Sequence, residues 1–158
     1  MATILVGMAD LNIAKGPDVL TTLGLGSCVG IALFDKIHRI GGLAHIMLPL
    51  STGYSGGNRA KFADTAIIDL VNKMAQLGAM RSGLVAKIAG GSHMFGFSNS
   101  NILKVGDRNV TACIEVLNHL RIPLHANDTG GSYGRTIELS ADTGALKVKT
   151  VGYGEKII

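Results

Sequence analysis

One cysteine and one histidine in the first third of the chain have the residue types of a thiol hydrolase. Cys28 follows the segment TTLGLGS, and His45 lies in the segment IGGLAHIMLP. A thiolate is a strong nucleophile, and a neighbouring imidazole can accept the thiol proton or, once charged, lower the thiol pKa. The pair therefore predicts a cysteine hydrolase with Cys28 as the nucleophile and His45 as its acid/base partner.

The elements around the two residues indicate how they meet. The run VGIALFD at 29–35 is apolar, residues 36–39 are polar, and residues 40–48 are apolar again, which predicts a β-hairpin. A turn at the centre of the polar stretch places Cys28 diagonal to His45 on one face of the hairpin. Diagonal neighbours lie roughly 7–8 Å apart at Cα, so a histidine side chain can reach the thiol.

Glycines at positions 24, 26 and 30 surround Cys28. Glycine adopts φ angles that other residues avoid, and it lets a substrate approach the main chain closely. We therefore expect backbone N–H groups of Gly26, Ser27 and Cys28 to be the candidate donors to an oxyanion. No sequence argument selects among them.

Length and composition indicate one soluble domain over residues 1–158. The net charge is +4, but the basic residues are scattered and not interleaved with aromatics, so we expect no nucleic-acid partner. We also expect no secretory signal and no membrane insertion, because no apolar stretch approaches the roughly 18 residues of a span. Cys28 and Cys113 fit no metal or redox spacing, which favours reduced thiols in the cytoplasm, no metal and no cofactor.

The remaining pattern predicts an α+β fold. Residues 51–58, STGYSGGN, have no periodicity and predict an exposed loop. Apolar spacing predicts a helix over Arg59–Leu77 that ends at Gly78. Asp107 is the expected N-cap of a second helix, Arg108–Leu120. Strands are predicted at Leu84–Ala89, Pro123–Ala126, Thr136–Leu139 and Ala145–Val151.

Other interpretations of these residues stay open on the pattern alone. A lone cysteine and a lone histidine on apolar strands are often structural. Val29 excludes a dinucleotide fingerprint, because that motif needs a glycine there and a helix afterwards. Core packing is the expected role of Cys113. A metal cluster of His93, His119, His125 and Asp128 matches no known ligand spacing, and Tyr54, Tyr133 and Arg135 are candidates to line the cleft.

At the level of motifs, the chain resembles the CheD family, chemoreceptor glutamine deamidases of bacterial chemotaxis. The resemblance lies in TTLGLGSCVGIALFD followed by IGGLAHIMLP. It continues through KIAGGSHMF, VGDRN and DTGGSYGR in the same order and spacing, and so covers nearly the whole chain.

This resemblance implies a function and a fold. The implied catalytic residues are Thr22, Cys28 and His45, with Thr22 as the group that orients the imidazole. The implied fold is an α+β sandwich of mixed sheets with helices packed outside, similar to deamidases of the cytotoxic necrotizing factor type. Chemoreceptor cytoplasmic domains are the implied substrates, and a CheC-type phosphatase is an implied partner. The alternatives are a docking module and a thiol-dependent amidase or esterase that acts on small molecules.

Overall fold

The computed structural model describes residues 1–54, 56–93 and 104–158. Within these ranges there are two α-helices, α1 (Ala63–Leu77) and α2 (Val105–His119), and short 3-10 helices at Arg59–Lys61 and Arg81–Gly83. The strands are β1 (Thr3–Leu5), β2 (Asp10–Lys15), β3 (Val19–Leu25), β4 (Val29–Asp35), β5 (Ile40–Ile46), β6 (Leu84–Gly90), β7 (Leu124–Thr129), β8 (Arg135–Ser140), β9 (Leu146–Thr150) and β10 (Gly154–Ile157).

The strands form two mixed sheets of five. The first sheet has the order β1-β3-β8-β9-β10, and the second has the order β2-β5-β4-β6-β7. Strands β1 and β3 pair in parallel, as do β6 and β7, and the other pairs are antiparallel. One apolar cluster fills the space between the sheets, and another joins both helices to the outer face of the second sheet. The predicted α+β class is confirmed.

The predicted hairpin is confirmed with its register. In the β4–β5 ladder Val29 lies opposite Ile46, and Gly30 lies opposite His45. Every residue of both strands is buried. This is expected for central strands covered on both faces, which read as continuous apolar runs rather than as alternating ones.

The two faces of β4 point to different layers. Val29, Ile31 and Leu33 pack in the cluster with the helices, whereas Cys28 and Ala32 pack in the cluster between the sheets. Side chains alternate along a strand. The candidate nucleophile therefore faces the first sheet, away from the helices.

A buried carboxylate organises the hairpin turn. Asp35 accepts hydrogen bonds from the N–H groups of Ile37 (3.0 Å), His38 (3.1 Å) and Met80 (2.8 Å), and its other contact is the His38 imidazole at 2.7 Å. Burial by itself raises the pKa of Asp35, but the hydrogen bonds from Met80 and His38 outweigh burial and leave that pKa below its ordinary value. The carboxylate form thus stabilises the turn that sets the register of Cys28 against His45.

The helix α1 begins later than its apolar spacing predicts. Phe62 is extended, with φ −114°, and separates α1 from the 3-10 helix at Arg59–Lys61. The Asn58 side chain caps that 3-10 helix by accepting from Ala60 N at 3.0 Å. The prediction of a helix from Arg59 was therefore wrong at its start, whereas its end at Gly78, with φ 119°, is confirmed.

The helix α2 begins earlier than predicted. It starts at Val105, so Asp107 lies in the first turn and is not the N-cap. The helix dipole favours a carboxylate in the first turn as well as at the N-cap, so an aspartate near a helix start does not by itself distinguish the two positions. The prediction that Cys113 belongs to the core is confirmed, because its side chain is fully buried.

Several strands have no clear signal in the sequence. β1 is only three residues long, and all four residues of β10 are exposed; neither strand shows the apolar alternation that predicts a strand. In the part of the chain that the structure describes, no helix is long and apolar enough to cross a membrane.

Candidate active site

The candidate nucleophile lies where the chain passes from one sheet to the other. Strand β3 of the first sheet ends at Leu25, and β4 of the second begins at Val29. Cys28 is the last residue of the connecting loop 26–28, and its exposed fraction is 8%. The thiol at this crossover therefore lies at the edge of the packed interior and keeps a small exposed area.

His45 faces the same side of the second sheet as Cys28. It lies between Ala44 and Ile46, which both pack toward the helices, so its own side chain points to the first sheet. Its exposed fraction is 1%. The structure thus brings the predicted acid/base residue to the predicted face.

Gly30 lies directly opposite His45 and allows the two sheets to approach here. A Cβ at this position would be 2.5 Å from Ile137 Cδ1 and 3.2 Å from Leu25 Cδ1, and both of these residues belong to the first sheet. The freedom in φ that glycine allows is used at one of the three positions near Cys28. Gly24 alone has a positive φ, of 70°, while Gly30 is needed for space.

Thr22 contacts His45 across the gap between the sheets. Its Oγ1 is 2.7 Å from His45 Nδ1, and it is also 2.7 Å from the carbonyl oxygen of Val6. A carbonyl can only accept, so the Thr22 hydroxyl donates to Val6 and its oxygen accepts from His45. Nδ1 therefore carries the imidazole proton.

This tautomer leaves a basic nitrogen at the other end of the ring. His45 Nε2 is buried, and among the described residues it has no hydrogen-bond partner, Cys28 included. A neutral imidazole has one donor nitrogen and one acceptor nitrogen. Nε2 is consequently a proton acceptor on the face that it shares with the thiol, without a partner in the described part of the chain.

Burial keeps both groups of the pair uncharged. It lowers the pKa of His45 and raises the pKa of Cys28, whose own backbone N–H partly offsets the effect. A resting thiolate–imidazolium pair is therefore disfavoured. The arrangement suits a neutral imidazole that removes the thiol proton as the sulfur attacks.

Each carbonyl of the loop 26–28 accepts a hydrogen bond from a residue in another segment of the chain. The Gly26 oxygen accepts from Ser92 N and the Cys28 oxygen from Gly91 N, both at 2.8 Å, and the Ser27 oxygen accepts from Asn109 Nδ2 at 2.9 Å. No described residue accepts from the N–H groups of Gly26 or Ser27. Within the described residues these two N–H groups have no acceptor, and that they bind an oxyanion stays a prediction.

The segment that holds the loop requires close backbone contact. Gly90 has φ 113°, and a Cβ there would be 2.3 Å from the carbonyl oxygen of Cys28. This explains the glycine pair in KIAGGSHMF. The last two residues of that motif, 94 and 95, lie outside the described residues, as does residue 55 of the loop 51–58.

Arg135 supports this segment rather than lining an open cleft. It is 1% exposed, and its Nη1 donates to Ser92 Oγ at 2.8 Å while its Nε donates to Asp128 at 3.2 Å. Ser92 Oγ in turn donates to the Tyr133 carbonyl at 2.7 Å. The motif DTGGSYGR thus packs behind the candidate nucleophile, and the expectation that Arg135 lines the cleft was wrong.

The loop 51–58 borders the same end of β5. Tyr54 packs against Phe62 with ring centroids 5.0 Å apart and the ring planes tilted by 42°, beside a cavity of about 280 Å³. Asn58 donates to the Ala9 carbonyl at 2.6 Å, and Ala9 N donates to the His45 carbonyl at 2.9 Å. The cavity lining contains no member of the Thr22, Cys28 and His45 set.

Asn109 and Ser92 are site residues that the sequence reasoning missed. Asn109 was seen only as part of VGDRN, yet it precedes Ala112 and Cys113 by helical spacing on the buried face of α2. A polar residue within an apolar helix face is a signal that it has a specific partner. The sequence holds no such signal for Ser92. It lies in a loop, and a serine there is ordinary, although its backbone N–H and its hydroxyl both make hydrogen bonds in the structure.

Comparison with known proteins adds a family to this geometry. A family model described as CheD chemotactic sensory transduction matches residues 47–150. A protein of Lachnoclostridium phytofermentans named "Probable chemoreceptor glutamine deamidase CheD" is 56% identical over 157 residues, which cover 98% of each chain. A protein of Desulfitobacterium hafniense with the same name is 53% identical over 156 residues, again 98% of each chain.

A solved structure shares the fold. The Bacillus licheniformis hypothetical protein YfiH has a TM-score of 0.50 at 14% identity, covering 76% of this chain and 50% of that chain. This chain therefore spans about half the length of that protein. The family match begins after Thr22, Cys28 and His45, whereas the two relatives align over 98% of this chain.

Proposed function

Because this chain belongs to the CheD family, we propose that it hydrolyses glutamine side chains of chemoreceptors to glutamate, with Cys28 as the nucleophile. The names of the full-length relatives support the reaction and the substrate. The observation that carries the residue assignment is the His45 tautomer. Thr22 accepts from Nδ1–H, and Nε2 is left as a base on the face of Cys28, with no partner among residues 1–54, 56–93 and 104–158.

In the first step the Cys28 sulfur attacks the carboxamide carbon of the glutamine. His45 Nε2 takes the thiol proton as the S–C bond forms, and the carbonyl π electrons move to the oxygen. The N–H groups of Gly26 and Ser27, which no described residue accepts from, are the proposed donors to this oxyanion, together with that of Cys28. Thr22 stabilises the imidazolium by accepting from Nδ1–H.

Collapse of this intermediate releases ammonia. The oxyanion electrons re-form the carbonyl, the C–N bond breaks, and the imidazolium of His45 gives its proton to the departing nitrogen. The product is a thioester between Cys28 and the former glutamine side chain. His45 is again a neutral base.

Water completes the reaction. His45 Nε2 removes a proton from a water molecule that attacks the thioester carbon, and the second tetrahedral intermediate expels the Cys28 sulfur, which regains its proton from His45. The net change consumes one water and one amide, and it yields one carboxylic acid and one ammonia. A neutral side chain on the receptor becomes a charged one, which alters repulsion between packed helices.

The family resemblance supports further parts of the proposal. We infer that residues 1–158 act as one deamidase domain in the cytoplasm and that a CheC-type phosphatase binds it. We also infer a likeness to deamidases of the cytotoxic necrotizing factor type, which would place this sandwich among thiol deamidases. No nucleic-acid partner, metal or cofactor enters the proposal.

The experiment that tests this proposal compares two substrates and two cysteines. A chemoreceptor cytoplasmic fragment and free glutamine are each incubated with the wild-type protein, Cys28→Ala and Cys113→Ala, and ammonia and the modified peptides are measured. We expect the wild-type protein to release ammonia from the receptor fragment but not from free glutamine. Cys28→Ala should release no ammonia from either substrate, and Cys113→Ala should turn over the receptor fragment as the wild type does. Equal turnover of free glutamine would instead support a small-molecule amidase, and turnover by Cys28→Ala would contradict the assigned nucleophile.

A further inference from the structure

We propose that Asn109 is a positioning residue that fixes the separation between Cys28 and His45, an inference that rests on the proposed function. Asn109 lies on α2 and is fully buried. Its Nδ2 donates to the carbonyl of Ser27 at 2.9 Å and to the carbonyl of Met47 at 3.0 Å. One amide group therefore bridges the two chain segments that carry the thiol and the imidazole.

The bridge stands where the hairpin ladder stops. The last pair of the β4–β5 ladder is Val29 with Ile46, so Cys28 and Met47 lie beyond the ladder. An asparagine amide nitrogen has two hydrogens in a fixed plane, and here each one binds a carbonyl from a different segment. Asn109 thus links the two segments where the ladder hydrogen bonds have ended, next to Cys28 and close to His45.

The Asn109 side chain also completes the support of the loop 26–28. Its hydrogen bond to Ser27 is the middle of three successive carbonyl contacts, and the other two come from Ser92 and Gly91. Loss of the middle contact would release the peptide between Ser27 and Cys28, whose rotation moves the thiol.

In the described structure the hydrogen bonds of the Asn109 side chain come from its amide nitrogen. Its Oδ1 is buried, and no described residue gives it a hydrogen bond, which is unfavourable for a polar atom. The neighbouring buried positions on α2 are held by Ala112 and Cys113. The two donor hydrogens of the amide explain why an asparagine stands among these small apolar residues, because an apolar side chain could not make the two hydrogen bonds.

The expected effect lies on the chemical step and not on substrate binding. Asn109 is behind the loop and fully buried, so it does not touch the receptor. A change in the distance between nucleophile and base affects the rate once the substrate is bound. We therefore expect kcat to fall while KM is retained.

The test uses Asn109→Asp, which has nearly the same shape but no donor when ionised, and Asn109→Ala. Asn118→Ala is the matched control, because Asn118 is an exposed asparagine of the same helix. For each protein, kcat and KM are measured on a chemoreceptor fragment, alkylation of Cys28 by iodoacetamide at pH 7 is followed by intact mass, and folding is followed by circular dichroism.

We expect both Asn109 variants to lower kcat by roughly tenfold or more with KM within about twofold. We also expect slower alkylation of Cys28, because the base no longer meets the thiol. Asn118→Ala should match the wild type in every measurement. A purely structural role would change the melting temperature but not the alkylation rate of the folded protein.

The outcomes separate this inference from the proposed function. If Cys28→Ala, assayed in parallel, still deamidates the receptor, the proposed function fails. If Cys28→Ala is inactive but the folded Asn109 variants keep the kcat or the alkylation rate of Asn118→Ala, the positioning role is overturned. It is also overturned if neither Asn109 variant folds, because Asn109 would then be a folding residue.

Discussion

Replacing Thr22 with valine is the most informative single change at this site. Valine has a shape similar to that of threonine, so the substitution removes the hydroxyl and leaves the packing between the sheets nearly intact. Thr22 is fully buried and contacts both His45 Nδ1 and the Val6 carbonyl at 2.7 Å. The variant therefore removes the group that selects the imidazole tautomer.

The size of the effect follows from the burial of the ring. Without the hydroxyl, Nδ1–H of His45 is a buried donor without an acceptor, which costs about 1–3 kcal/mol. That cost falls on the tautomer whose Nε2 is basic, and about 1.4 kcal/mol corresponds to a factor of ten. We expect kcat for receptor deamidation to fall roughly 10- to 100-fold with KM within about twofold.

The assay combines kinetics with a direct view of the ring. Ammonia release gives kcat and KM, and the ¹⁵N chemical shifts of His45 distinguish the Nδ1–H tautomer from the Nε2–H tautomer. Thr22→Ser keeps the hydroxyl and should keep both the wild-type tautomer and a kcat near that of the wild type. The reasoning is refuted if Thr22→Val retains wild-type kcat, or if Thr22→Ser loses as much activity as Thr22→Val.

Three other predictions concern pH and packing. Burial lowers the pKa of His45 and raises that of Cys28. As the pH is lowered, kcat/KM should therefore stay constant through neutral pH and decrease only when His45 becomes protonated, below its ordinary pKa. An acid-side decrease with its midpoint above about pH 7 would contradict this. Because the pKa of Asp35 is depressed, its carboxylate stabilises the fold above its unfolded pKa, and that contribution is lost as the pH falls through the lower folded pKa. Urea unfolding should thus show Asp35→Asn less stable than the wild type at pH 7, with the gap closing below about pH 4; a gap that does not depend on pH would be inconsistent with this. Gly30→Ala should lower stability by about 1–3 kcal/mol through its contact with Ile137, and Ile137→Val should restore part of this in the double variant, whereas strictly additive losses would argue against the contact.

The hairpin could be predicted because two local signals agreed. The apolar runs on either side of a polar stretch fixed two strands, and the central turn fixed their register, so Cys28 and His45 could be placed on one face. The contact of Thr22 with His45 could not be predicted in this way. It joins different sheets, and pairing between sheets depends on packing that no local pattern encodes.

The glycines show the same limit. Gly78 was predicted as a helix end because its left-handed φ has a purely local cause. The need for glycine at position 30 comes instead from the side chain of Ile137 in another sheet, which the local pattern did not indicate. Asn109 was missed for a similar reason, since its partners Ser27 and Met47 are distant in sequence.

The most direct test of the central claim is detection of the acyl-enzyme on Cys28. The protein is mixed with a chemoreceptor fragment, the reaction is quenched in acid within a few turnovers, and the digest is analysed by mass spectrometry. The account predicts a receptor peptide joined through its former glutamine side chain to the peptide that contains Cys28, no adduct on Cys113, and loss of the adduct on treatment with hydroxylamine. Deamidation that proceeds at the wild-type rate in Cys28→Ala, or an adduct found on a different residue, would contradict it.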